Sequence, residues 1–375
     1  MGKSISTVDP DGLLEFSVVF TDRSLNHMSQ SFQAKMREIS RTLKDVYKAQ
    51  SVAVVPGGGT YAMEAVARQL ATDKTCMVLR NGWFSFRWSQ IFDAGGIPRS
   101  CTVFKARQIA DGEQAPFAPI PIAEAVAAIE AEKPDLLFAP HVETASGIIL
   151  PDDYLKTLAE AQHAHGGLFV LDCIASGAIW VDMAETGVDV LISAPQKGWS
   201  ASPAAGLVMM NDKARQLVGE TQSSSFACDL KKWTEIMEAY EGGAHAYHAT
   251  MPTDALVAFH GAMMETKAVG FDVLRARQWE LGNRVRAALA KRQIKSVAAE
   301  GFGAPGVVVS YTRDDAIQSG RKFAGIGLQI AAGVPLQCDE PDTYKTFRLG
   351  LFGLDKLNDV EATVARLEAA LDKMI

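Results

Sequence analysis

An acid and a lysine stand at matching points on two successive apolar runs. Leu168-Phe169-Val170-Leu171 ends in Asp172. Asp189-Val190-Leu191-Ile192 leads through Ser193-Ala194-Pro195-Gln196 to Lys197. A short amphipathic segment joins the runs, so the pattern predicts strand, crossover, strand. In a parallel sheet both strand ends lie on one edge, the edge where ligands bind. A carboxylate and an amine on that edge suit pyridoxal phosphate. The amine forms a Schiff base with the aldehyde, and the acid keeps the pyridinium nitrogen protonated. The same residue types also serve as a turn-forming Asp and a solvated Lys, and the pair alone does not separate the two.

A phosphate-bearing cofactor also needs an anion site. Ser51-Val52-Ala53-Val54-Val55 is β-prone, Pro56-Gly57-Gly58-Gly59-Thr60 is a glycine turn, and residues 61–71 are helical in pattern. Such a turn aims backbone N–H groups and the positive end of a helix dipole at one point, and Thr60 adds a hydroxyl. It is neither a dinucleotide fingerprint nor a Walker loop, and an ordinary strand-to-helix turn would look the same. Further on, Trp83, Phe84, Phe86 and Trp88 crowd one short span. One of them could cover a planar ring, and at least two are expected in the core.

The elements that must position these residues follow from the apolar pattern. Phe32, Met36, Ile39, Leu43 and Val46 recur at helical spacing across 29–50. Met77-Val78-Leu79-Arg80 and Leu136-Leu137-Phe138-Ala139 read as buried strands, and 151–165 as a helix closed by Gly166 and Gly167. Gly206-Leu207-Val208-Met209-Met210 reads as a returning strand. Alternation of this kind implies a mainly parallel sheet with helices on both faces. Residues 252–290 are largely helical in pattern. Short strands at 307–309 and 346–349 and an amphipathic helix over 356–374 fit a small α+β unit. The expected division is an arm of 1–25, a large unit of 26–265 and a small one of 266–375.

Composition excludes other classes. The chain has 375 residues, 48% of them hydrophobic and 22% charged, and a net charge of −7. No basic block offsets that charge, which argues against a nucleic-acid surface. No apolar run is long enough to span a bilayer, and the first residues lack a signal peptide's apolar core. Gly2 with Ser6 fits a loose myristoylation pattern, too short to carry weight. The five cysteines are scattered without CxxC spacing, and the histidines form no ligand cluster. No metal site is expected, and a reducing cytoplasm is the simplest location.

Taken together, residues 50–350 resemble the class V aminotransferases of fold type I, nearest the alanine–glyoxylate and serine–pyruvate branch. The resemblance rests on motifs in the same order. Gly57-Gly58-Gly59-Thr60-Tyr61-Ala62-Met63-Glu64 is similar to the family's phosphate-holding turn. Asn81-Gly82-Trp83-Phe84 is similar to the motif whose aromatic stacks on the pyridine. Glu143-Thr144-Ala145-Ser146-Gly147 resembles the segment that contacts the ring hydroxyl, with Ala145 where a hydroxyl is usual. Asp172-Cys173-Ile174-Ala175-Ser176 and Ser193-Ala194-Pro195-Gln196-Lys197 resemble the pyridinium and Schiff-base motifs. Tyr247-His248-Ala249-Thr250-Met251-Pro252 resembles a segment that reaches the phosphate across a dimer interface. Phe347-Arg348-Leu349-Gly350-Leu351-Phe352-Gly353 resembles the motif of the carboxylate-gripping arginine.

The resemblance implies a seven-stranded, mainly parallel sheet with a small C-terminal domain. It implies a homodimer with shared active sites, and a ping-pong transamination between a small amino acid of alanine or serine type and a 2-oxo acid such as glyoxylate or pyruvate. It assigns Lys197 and Asp172 to catalysis. Gly58, Gly59, Thr60, Phe84, Thr144, Ile174, Gln196, Tyr247 and Thr250 join them in holding the cofactor, and Arg348 holds the substrate. The family's proline-rich opening is absent from residues 15–24, so the substrate pocket is expected to differ. A cysteine desulfurase or other lyase of the same fold is the nearest alternative, with Cys338 as its loop thiol. That class has a histidine where Gln196 stands. A non-catalytic cofactor-binding protein is the other, and a dehydrogenase lacks its fingerprint.

Overall fold

The computed structural model describes residues 8–374, so Gly2 and Ser6 lie outside the described residues. Seven strands form the main sheet: β1 (Ser51–Pro56), β2 (Thr75–Arg80), β3 (Ser100–Lys105), β4 (Leu136–Pro140), β5 (Leu168–Asp172), β6 (Val190–Ser193) and β7 (Ala205–Met210). Their spatial order is β1-β7-β6-β5-β4-β2-β3. β7 runs antiparallel to both of its neighbours, and all other pairs are parallel. The central strands are buried on both faces, which is why they read as unbroken apolar runs. β3 does not read that way. It is one of the two edge strands, half-exposed, and its Ser, Thr and Lys suit solvent on one side.

Helices flank the sheet. α1 (Gln30–Tyr47) starts at Ser29, whose hydroxyl accepts the Phe32 N–H at 3.0 Å. Phe32, Met36, Ile39 and Leu43 are fully buried, the stripe their spacing predicts. α2 (Gly59–Leu70) and α3 (Trp83–Gly95) each follow directly from a strand end, so their N-termini open on the same edge of the sheet. Trp88 packs on Phe138 in the core with ring centroids 4.6 Å apart, whereas Phe84 stays near the surface of that edge.

A three-stranded antiparallel sheet forms from β8 (Val307–Tyr311), β9 (Ala331–Ala332) and β10 (Thr346–Gly350), in the order β8-β10-β9. Two long helices, Thr253–Val269 and Phe271–Lys291, precede it. The helix expected over 356–374 is broken. Leu354–Leu357 is one turn, and Val360–Leu371 begins afresh where Asp359 accepts the Ala362 N–H at 2.9 Å. A cap-forming Asp competes with helix continuation, and here it wins. No helix among the described residues is long and apolar enough to cross a membrane.

Candidate active site

β5 and β6 pair in parallel with Leu171 opposite Leu191 and Asp172 opposite Ile192. Asp172 therefore ends its strand level with the end of β6, and Lys197 follows just beyond on the same edge. Both line a cleft of about 520 Å³. Of the residues named from sequence, the cleft gathers Gly59, Thr60, Phe84, Thr144, Asp172, Ile174, Gln196, Lys197 and Arg348. Three are not among its lining residues. Gly58 precedes it as the N-cap of α2. Tyr247 and Thr250 are exposed, with Tyr247 Oη 3.1 Å from Thr250 Oγ1.

Each side chain is held by identifiable local chemistry. Asp172 is buried, and its Oδ1 accepts the Ile174 N–H at 2.9 Å. Burial pushes its carboxyl up to about 7, with the Glu143 charge adding to the rise. Lys197 is pushed below the usual lysine range, first by burial and then by the Arg348 charge. Its Nζ lies 5.0 Å from the centroid of the Phe352 ring. A desolvated amine facing another cation is a better nucleophile and base than a free lysine.

Arg348 stands on β10 opposite Val309 and Ala331, and its Nε donates to Ala332 O at 2.8 Å. Its guanidinium carbon lies 5.4 Å from the Phe84 ring centroid. Among the described residues no carboxylate forms a salt bridge with it, so the terminal amines are open to a ligand. The small sheet thus brings a fork-shaped cation over an aromatic supplied by α3.

Glu143 explains why Phe84 is where it is. This fully buried carboxylate accepts the Phe84 N–H at 3.2 Å, the Ser85 N–H at 2.8 Å and the Ser85 hydroxyl at 2.7 Å. It also accepts the Ala145 N–H at 2.9 Å. It is the acidic cap of α3, satisfying amides that the first turn leaves unpaired. Gly82 permits this approach, since a Cβ there would stand 2.7 Å from Glu143 Cγ. Glu143→Ala should lower stability by about 3 kcal/mol or more, seen as a fall in the melting temperature, because several buried donors lose their acceptor.

Residues that the motifs did not single out also face the cleft. Arg87 donates from Nη1 to Thr60 Oγ1 at 3.0 Å, tying a guanidinium to the N-terminus of α2. Its signal was helical spacing, one turn after Phe84. Phe352 and Lys356 form part of the wall. His141, beneath the cleft, pairs Nδ1 with Ser176 Oγ at 2.7 Å, and burial pushes it down to about 3, leaving a neutral ring. Cys338 is outside the cleft. It is buried, 3.4 Å from Arg80 O, and burial pushes its thiol up to about 12, which does not suit a loop nucleophile.

The donor set fits pyridoxal phosphate. The first amides of α2 have no partner within the helix, and Arg87 stands beside them for a phosphate. Gly59 brings this turn close to Ile174, because a Cβ on it would fall 2.4 Å from Ile174 Cδ1. Among the described residues no cation forms a salt bridge with the buried Asp172, a setting that would suit a protonated ring nitrogen. Beside Lys197, Gln196 Oε1 is buried without a hydrogen-bond partner among the described residues. An orphaned acceptor of this kind calls for a ligand donor.

Known proteins agree. The family model for class-V aminotransferases matches residues 15–314. The chain is 26% identical over 368 residues to the soluble hydrogenase small subunit of Synechococcus sp. (strain PCC 6716), spanning 93% of this chain and 88% of that one. It is 28% identical over 240 residues to alanine–glyoxylate aminotransferase of Rattus norvegicus, spanning 62% of this chain and 55% of that one. The crystal structure of alanine–glyoxylate aminotransferase from Nostoc sp. superposes with a TM-score of 0.79 at 21% identity, covering 94% of this chain and 89% of that one. The last likeness carries the fold, a fold type I sheet with its small C-terminal layer, and the family match covers most of the sequence. The chain belongs to the class-V aminotransferases, pyridoxal-phosphate-dependent enzymes that move an amino group to a 2-oxo acid.

Proposed function

We propose that this enzyme transfers an amino group from a small amino acid of alanine or serine type to glyoxylate or pyruvate by a ping-pong route, with Lys197 as the residue that binds the cofactor covalently. The observation that carries this is the convergence of Lys197, Asp172 and Arg348 on one cleft from two parallel strand ends and the small sheet. The relatives named for alanine and glyoxylate support the substrate class.

Bound there, pyridoxal phosphate supplies an aldehyde and an electron-accepting ring. The chain supplies the rest. Arg348 orients the substrate by two parallel hydrogen bonds to its carboxylate. The Lys197 amine takes the proton from substrate Cα and later returns one. Asp172 would hold the cofactor's ring nitrogen protonated. Phe84 and Ile174 would confine the cofactor ring, Thr144 and Gln196 would offer it polar contacts, and Gly58, Gly59, Thr60 and Arg87 would take its phosphate. We further propose the chain division stated above, with the three-stranded sheet as the centre of the small unit, and a cytoplasmic setting consistent with five free cysteines.

Tyr247 and Thr250 are exposed rather than in their own cleft, which supports a homodimer in which each chain completes the other's phosphate site. Mixing Lys197→Ala chains with Tyr247→Ala chains tests this. Exchange should restore about a quarter of wild-type activity, since half of the dimers are mixed and each has one intact site. No recovery would place Tyr247 outside the partner's site. A panel of donors against glyoxylate, pyruvate and 2-oxoglutarate, followed by half-reaction spectra, tests the substrate assignment. Sulfide release from cysteine with no amino transfer would replace it with a lyase.

A further inference from the structure

We propose that Lys356 is a second anion-binding residue of the cleft, and that one of the two substrates therefore carries an acidic group in addition to its α-carboxylate. This rests on the aminotransferase reading but departs from the substrate pair above, replacing one of its monocarboxylic partners with a dicarboxylic one.

The charges facing the cleft are unequal. Among the described residues its ionisable lining is Arg87, Lys197, Arg348 and Lys356 against the acid Asp172. Glu143, nearby, is committed to the amides of α3 and Ala145. Arg87 is tied to Thr60 at the phosphate end, and Lys197 and Asp172 serve the cofactor. Arg348 answers one carboxylate. Lys356 is left facing the cavity with no ligand charge assigned to it.

Its attachment fixes where that charge sits. Lys356 Nζ donates to the Phe352 carbonyl at 3.0 Å, while the Phe352 ring lies 5.0 Å from Lys197 Nζ. One residue therefore connects the ammonium to the wall beside the reacting amine. The remaining partner is Asp355, 2.9 Å away, whose side chain is 71% exposed against 33% for Lys356. An exposed pair between sequence neighbours holds a lysine weakly. A ligand carboxylate inside the cleft, shielded from water, competes well with it. A purely monocarboxylic pair of substrates would leave this cation unanswered in both half-reactions. Lys356 lies in the one-turn helix Leu354–Leu357, ahead of the break at Asn358–Asp359.

The test uses the holoenzyme and Lys356→Met. Half-reactions are measured with alanine, serine, aspartate and glutamate, and with glyoxylate, pyruvate, oxaloacetate and 2-oxoglutarate. Wild type should use at least one dicarboxylic partner. In Lys356→Met the ratio of kcat/KM for that partner over alanine should fall about 10- to 100-fold, mainly through KM, the range of one charge-assisted hydrogen bond. Lys356→Arg should recover most of the ratio. Binding of the unreactive succinate and propionate, read by thermal shift, gives a second measure. Succinate should lose its advantage over propionate in the Met variant. An unchanged ratio, or a wild type that transaminates alanine and rejects every dicarboxylic partner, would overturn the inference and leave the aminotransferase reading standing. Failure to transaminate any amino acid would overturn both.

Discussion

Replacing Lys197 with alanine should abolish turnover, lowering kcat by about 10⁴-fold, because one amine is both the covalent anchor and the mover of the Cα proton. The fold should not suffer. Lys197 is a buried cation with the Arg348 charge beside it, and both its burial and that neighbour oppose the charged form. Truncation removes this repulsion, so the melting temperature should hold or rise. Added methylamine should restore part of the rate, since a small free base can enter the space that the side chain vacates. Borohydride should fix the cofactor to the Lys197 peptide in wild type and to no peptide in the variant. A variant that turns over at near wild-type rate, or a label found on another lysine, would remove the central residue from the mechanism.

The strand ends that carry this chemistry were legible because parallel strands buried on both faces leave continuous apolar runs. The polar residue that ends each run marks the edge of the sheet. Asp172 and Lys197 are therefore found by counting along two runs, and β5 and β6 pair in the register that aligns them. What the runs do not show is any partner distant in sequence. Glu143 lies next to Thr144 in a motif associated with the cofactor ring, yet its carboxylate is spent on Phe84 and Ser85, on a helix that begins far upstream. No local spacing signals that bond. Arg348 looks like an ordinary strand residue until three short strands bring it over Phe84. Lys356 was hidden for another reason. The amphipathic pattern of 356–374 runs smoothly through it, and the break is set by an Asp cap whose strength the periodicity does not register. β3 leaves no continuous apolar run because its edge is half-exposed, whereas β1, on the opposite edge, is buried and does.

Asp172→Asn should stabilise the cofactor-free protein while disabling the enzyme. Burial raises the Asp172 carboxyl to about 7, so the folded chain binds a proton there more tightly than the unfolded chain does. For an acid raised on folding, stability is full below the unfolded value near 4 and declines as pH climbs to the folded value near 7. Above that pH the ionised, buried carboxylate costs the apo fold of order 4 kcal/mol. Asparagine has the same shape, keeps an acceptor for the Ile174 N–H, and never ionises. The apo variant should therefore melt higher than apo wild type at pH 8, with the gap closing as pH falls from 7 toward 4. Pyridoxal phosphate should reverse the order, because a protonated ring nitrogen gives the carboxylate the partner it lacks and gives asparagine almost nothing. The same loss of charge pairing should reduce kcat about 10³-fold, in the range of losing one preorganised electrostatic contact. Paired melts of apo and loaded protein across pH, beside half-reaction rates, check all of this. An apo wild type that gains stability between pH 5 and 8 relative to the variant would mean that the acid is already paired within the chain and is not held ready for the ring.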